Sequence, residues 1–195
     1  VQCLFGALMW LWVQDPADER GRVVYFGGRD GIGATDNGLI GCILPPDFGT
    51  AGHAERRAEA LDAHLAWLPN EAGLLLAAYD YWLEPSRALR QYLWAYTQQD
   101  EDRARILIEV LGAARVKQVL RFLAEDYWRR FCGWPDLLSW RETTTGPDDV
   151  ELLEVKSSGD RLSEDQRNWI TDNAETIRLP FRLVKVHRTE QLRRE

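Results

Sequence analysis

Asp136 follows a proline, and Glu154 and Lys156 stand two residues apart in the apolar run "VELLEVK". On an extended strand, side chains two apart share a face, so Glu154 and Lys156 project together while Leu153 and Val155 face away. Charges in such a run are costly unless they are paired or bound to metal, and a chain that keeps three of them usually keeps them for chemistry. If "DLLSWR" pairs with "VELLEVK" through the turn "ETTTGPDD", the start of the first strand lies beside the end of the second. Asp136 then joins Glu154 and Lys156. Two carboxylates select a hard cation, Mg²⁺ or Mn²⁺, and the backbone carbonyl of Val155 offers a further oxygen. Such a metal polarises a phosphodiester and lowers the pKa of a bound water, with Lys156 holding that water or neutralising charge on the phosphate. Spacing alone fits a second arrangement equally well, a Glu–Lys ion pair on the sheet with Asp136 capping a turn.

The surrounding sequence must position these groups. After Arg130 the pattern reads strand, strand, helix, strand: "DLLSWR", "VELLEVK", "SEDQRNWITDNAETI" and "FRLVKV". That order is an α/β core. Ser163 is the natural N-cap of the helix, with Gln166 three residues on to complete a capping box and Glu164 and Asp165 suiting the helix dipole. Upstream, Ala58, Leu61, Leu65 and Leu68 recur at helical spacing, as do apolar residues in "EAGLLLAAYDYWL", "SRALRQYLWAYT", "DRARILIEVLG" and "VKQVLRFLAEDYW". Gly112 is a candidate helix stop. Trp82, Trp94 and Trp128 are expected in the core. "VVYF" suggests a strand, and "GGRDGIGATDNG" after it is a surface loop. Its Gly31 and Gly33 lack the third glycine of a dinucleotide fingerprint, because Asp36 stands in that place.

The opening "VQCLFGALMWLWV" is apolar but too short to span a bilayer, and it lacks the basic start of a secretory signal. It reads as a core element of a protein that continues upstream. Cys3, Cys42 and Cys132 form no CxxC pair, and with His53, His64 and His187 they give no zinc spacing. Reduced thiols in a cytosolic compartment are expected. The net charge of −7 over 195 residues argues against a general nucleic-acid coat. It is unevenly spread, with 12 basic and 18 acidic side chains in residues 1–128 and 12 against 13 in residues 129–195. Any contact with DNA is therefore focused.

"GWPDLLSW" followed by "LLEVKSSGDRLSEDQRNWI" resembles the VRR-Nuc branch of the PD-(D/E)xK nucleases. Within that branch the resemblance is greatest to the C-terminal nuclease domain of the Fanconi-anaemia-associated nucleases, which cut branched DNA. It is strong from roughly Leu123 to Ile170, and "LFGALMW" looks like the family helix upstream of the core. The resemblance implies a restriction-endonuclease-like mixed sheet flanked by helices, with a helical segment inserted before the core. Residues 1–128 would hold the start of the nuclease domain and the insertion, and residues 129–195 the catalytic core.

Carried over by position, the resemblance implies metal binding by Asp136, Glu154 and the Val155 carbonyl, with Lys156 catalytic. It places Gln166 near the active site, where it can also serve the capping box. Arg161 in "DRLS" would touch a DNA phosphate or brace its loop against Asp160. A further ligating glutamate of the family falls a few residues before Val1.

The activity expected is a Mg²⁺- or Mn²⁺-dependent deoxyribonuclease acting on branched or flap DNA in repair, with no membrane partner. It would work in a bacterial cytoplasm or a eukaryotic nucleus. The same motif serves antibacterial toxins of the type VI secretion kind, which are secreted effectors blocked by an immunity protein. A catalytically dead binding module is a third class, disfavoured by the intact Asp136, Glu154 and Lys156.

Overall fold

The computed structural model describes residues 1–27, 39–88 and 97–186, the side chains of 25–27, 39–42 and 87–88 excepted. The expected GxG loop at Gly31 and Gly33, Trp94 and His187 lie outside the described residues. The chain divides into two compact units, Val1–Phe131 and Cys132–Glu195.

The first unit is mainly helical. The opening apolar run forms α1 (Gln2–Val13), and because it is apolar on nearly every side it is buried on nearly every side. Leu4, Phe5, Leu8, Met9 and Trp12 all lie in the core. An antiparallel hairpin follows, β1 (Arg22–Gly27) paired with β2 (Leu39–Leu44). The first strand contains the expected "VVYF"; the second was not foreseen in "LIGCIL". Next come α2 (Ala51–Arg56), capped by the Thr50 hydroxyl, and α3 (Ala58–Trp67), which buries Leu61 and Leu65. Helix α4 (Ala72–Ala88) continues past Pro85, where the Ser86 hydroxyl donates to the Leu83 carbonyl at 2.8 Å. Helix α5 (Gln98–Glu125) starts on a capping box from Thr97 and Asp100. It is broken at Gly112, whose φ of 72° and ψ of 163° are a non-helical conformation open essentially to glycine alone. The short α6 (Tyr127–Arg130) closes the unit, its Tyr127 ring 4.8 Å from Phe5.

Two tryptophans depart from the expected core positions. Trp128 is 45% exposed, held at the surface by Nε1 donating to the Phe48 carbonyl at 2.8 Å and by edge contacts with Phe48 and Phe131. Trp82 is only half-buried, edge-on to Trp10. An amphipathic helix has one face in water, and an aromatic at its margin satisfies both.

His53 of α2 is fully buried between Trp12 and Phe48, with ring centroids 4.8 and 5.6 Å away. Neither ring nitrogen has a hydrogen-bond partner among the described residues. Burial pushes its pKa down to about 4, whereas the unfolded chain takes up that proton near pH 6.5. The unfolded state therefore binds more protons between those values, and stability falls as pH drops from about 6.5 toward 4, by about 3 kcal/mol in all. His53→Phe is expected to flatten this part of a plot of Tm against pH. A slope equal to that of the unsubstituted chain would show that the ring does not titrate as its burial requires.

The second unit holds the expected strand, strand, helix, strand order: β3 (Leu137–Thr143), β4 (Gly146–Ser157), α7 (Glu164–Glu175) and β5 (Phe181–Val186). Strand β4 is central, antiparallel to β3 and parallel to β5, so the sheet is mixed. The turn is tighter than "ETTTGPDD" suggested, because Gly146 to Asp148 already pair with β3. Pro147 is tolerated there because β5 pairs with β4 only from Leu152 onward. Helix α7 buries Trp169, which lies 5.5 Å from Phe181 and 5.2 Å from Trp134. Among the described residues no helix is long and apolar enough to cross a membrane.

Candidate functional site

The site forms where β3 begins and β4 ends. Leu137 pairs with Leu153, so Asp136 stands just before the ladder, level with Glu154. Its Oδ2 accepts a hydrogen bond from the Val155 N–H at 3.0 Å. In extended backbone the N–H and C=O of one residue point to the same side, so the Val155 carbonyl faces the Asp136 side, beyond the first residue of β3.

Leu152, Glu154 and Lys156 alternate onto one face of β4. Glu154 is only 2% exposed, and its burial is compensated at one oxygen. Glu154 Oε1 receives Lys156 Nζ at 2.7 Å and Gln166 Nε2 at 2.5 Å. The hydrogen bond and the nearby carboxylates hold the Lys156 pKa above its ordinary value, so the side chain remains an ammonium.

Gln166 fills both places that the sequence left open. Its Oε1 accepts from the Ser163 N–H at 3.0 Å, while the Ser163 hydroxyl accepts from the Gln166 N–H at 3.1 Å. The capping box thus uses the amide oxygen and leaves the amide nitrogen for Glu154.

Asp136, Glu154, Val155, Lys156 and Gln166 are brought together; Arg161 is not bonded to them. The bracing contact with Asp160 does not form, because Asp160 Oδ2 accepts instead from the backbone N–H and hydroxyl of Ser157, at 2.9 and 2.6 Å. Those bonds hold the Asp160 carboxyl below its usual range. Arg161 is exposed and makes no hydrogen bond or ion pair with the described residues.

A hard cation needs free oxygens, and the arrangement supplies them. Asp136 Oδ1 and Glu154 Oε2 accept no hydrogen bond from the described residues, and the Val155 carbonyl lies on the Asp136 side. Among the described residues no group of three or more His, Cys, Asp or Glu side chains is assembled. The oxygens that could hold a hard cation here are those two carboxylates and the carbonyl.

One supporting residue escaped the sequence reading. Asn173 of α7 accepts from the Leu179 N–H at 2.9 Å and donates to the Leu179 carbonyl at 3.0 Å, clamping the entry to β5. An asparagine inside a helix is the available signal, since it is a poor helix former unless its amide has other work.

The model of the VRR-NUC domain family matches residues 70–188. The Fanconi-associated nuclease 1 homolog of Arabidopsis thaliana is 34% identical over 128 residues, covering 65% of this chain and 14% of that protein. Human Fanconi-associated nuclease 1 is 29% identical over 135 residues, covering 66% of this chain and 13% of that protein. The chain thus spans about a seventh of these relatives. In fold it is similar to paFAN1, solved bound to 5′ flap DNA with a 1-nucleotide flap and a gap, at a TM-score of 0.65 and 21% identity. That similarity covers 97% of this chain and 31% of paFAN1, and bears out the restriction-endonuclease-like fold.

Proposed function

Because the chain belongs to the VRR-NUC domain family, we propose that it is the catalytic part of a metal-dependent nuclease that cuts flap or branched DNA in repair. The observation that carries this reading is the convergence of Asp136, Glu154 and the Val155 side of β4 beside a protonated Lys156. The names of the relatives, and the flap DNA held by paFAN1, support the choice of substrate.

Asp136, Glu154 and the Val155 carbonyl would hold Mg²⁺ or Mn²⁺. That ion supplies Lewis-acid activation of the phosphodiester and a water of lowered pKa. Lys156 directs its ammonium at the charge that grows on the phosphate. Gln166 fixes the rotamer of Glu154, and Arg161, which has no partner on its own loop, takes a DNA phosphate.

Cleavage of a panel of 5′ flap, 3′ flap, nicked and plain duplex DNAs tests the reading. Flaps are expected to be cut faster than duplex with Mg²⁺ or Mn²⁺, and none to be cut with Ca²⁺. Absence of cleavage with every ion, under conditions where DNA binds, would sink it. In the Ca²⁺ arm, Arg161→Ala should reduce the slope of log K against log salt by about one, the signature of one lost phosphate contact. An unchanged slope removes Arg161 from the interface.

A further inference from the structure

We propose that Gly133 is a positioning residue that seats the start of α7 and thereby holds Gln166 on Glu154; this rests on the nuclease reading of the same site. Two observations in the second unit carry it. Gly133 has φ of 75°, a conformation that side-chain-bearing residues adopt with strain. A Cβ placed there would lie 2.3 Å from the Asp165 carbonyl oxygen, 2.4 Å from its carbon and 2.8 Å from the Gln166 nitrogen. These are backbone atoms of the first turn of α7, and they cannot swing aside as a side-chain tip can.

The consequence follows from the geometry of the neighbours. Three residues after Gly133, Asp136 is fixed to β4 through the Val155 N–H. One residue after Asp165, Gln166 is fixed to Glu154 through Nε2. The two sides of the site, the entry to β3 and the first turn of α7, therefore touch at Gly133. A methyl group there must push the helix start outward or lift the loop that carries Asp136. Because the Gln166–Glu154 bond is 2.5 Å long, a displacement of about an ångström breaks it.

Gly133→Ala tests this, with Gly146→Ala as the control. Gly146 also has a positive φ, 116°, but nothing within 4 Å of its Cβ, so a methyl group there strains the backbone without pressing on α7. The readout, taken without metal, is the pair of Gln166 side-chain amide resonances. In Gly133→Ala they are expected to move to the shifts of a solvent-exposed glutamine, and in Gly146→Ala to stay. Mn²⁺ titration gives a second readout. Gly133→Ala and Gln166→Ala should each weaken binding by about tenfold, as loss of a supporting contact does, and the double variant should be no weaker than either.

Unmoved Gln166 resonances in Gly133→Ala, or additive losses in the double variant, would overturn the proposal. Should Gly133→Ala not fold, the unsubstituted chain in sub-denaturing urea decides. Loss of the Gly133 Hα to Gln166 amide cross-peak together with the Gln166 side-chain shift supports the proposal, and loss of either alone overturns it. If the unsubstituted chain binds no Mn²⁺, the nuclease reading fails, while the Gln166 resonances still report on Gly133.

Discussion

Lys156→Ala is expected to bind Mn²⁺ and flap DNA and yet to cut about 10² to 10³ times more slowly, the usual cost of one group that stabilises charge in the transition state. An ammonium cannot ligate a cation, so its removal leaves the oxygen donors in place. Lys156 lies 2.7 Å from Glu154 and keeps its proton, which suits it to a phosphate and not to the role of a base. Single-turnover cleavage with DNA and metal both saturating isolates the step. Unchanged cleavage would leave Lys156 as a partner for Glu154 and nothing more. Lys156→Arg keeps the charge but spreads it over a planar fork, and is expected to recover only part of the rate.

The second large effect concerns Glu154. Glu154→Gln preserves shape and burial but offers an amide where the carboxylate stood. Mn²⁺ affinity measured by calorimetry is expected to fall by more than about 100-fold, beyond the range that loss of a supporting residue costs. The same change confronts Lys156 Nζ and Gln166 Nε2 with a neutral partner. Glu154→Ala removes the acceptor altogether, leaving the Lys156 and Gln166 donors without their shared partner. The glutamine variant therefore separates metal loss from loss of fold. Equal Mn²⁺ affinity in Glu154→Gln would end the assignment of Glu154 as a ligand.

Much of the second unit was legible because its signals are local. Alternation along "VELLEVK" placed Glu154 and Lys156 on one face, and the strand–turn–strand order brought Asp136 to them. Ser163 and Gln166 marked the helix start to the residue. The motif resemblance also named the family that the family model matches.

What escaped depends on contacts that no short window contains. Strand β2 is a brief apolar run whose partner, β1, lies across 11 intervening residues. Trp128 carries the composition of a core residue, and only the tertiary fold puts its indole at the surface. The fate of Arg161 turned on Asp160, which has a nearer partner in Ser157. Asn173 was invisible as a clamp because its two bonds reach Leu179, beyond the helix.

The capping box of α7 carries a consequence for how this protein can change. Capping boxes accept glutamate as readily as glutamine, and selection for helix stability alone would treat the two as interchangeable. Here the same amide donates from its nitrogen to Glu154. A glutamate would keep the cap and set one carboxylate against another at hydrogen-bond distance, so that one of them must hold a proton or swing away. The rule for helix caps taken alone would therefore accept Gln166→Glu, while the apposed carboxylates would cost stability and disturb the site together. The demands of the cap and of the site thus meet on one side chain, which narrows the routes by which the start of the helix can be altered.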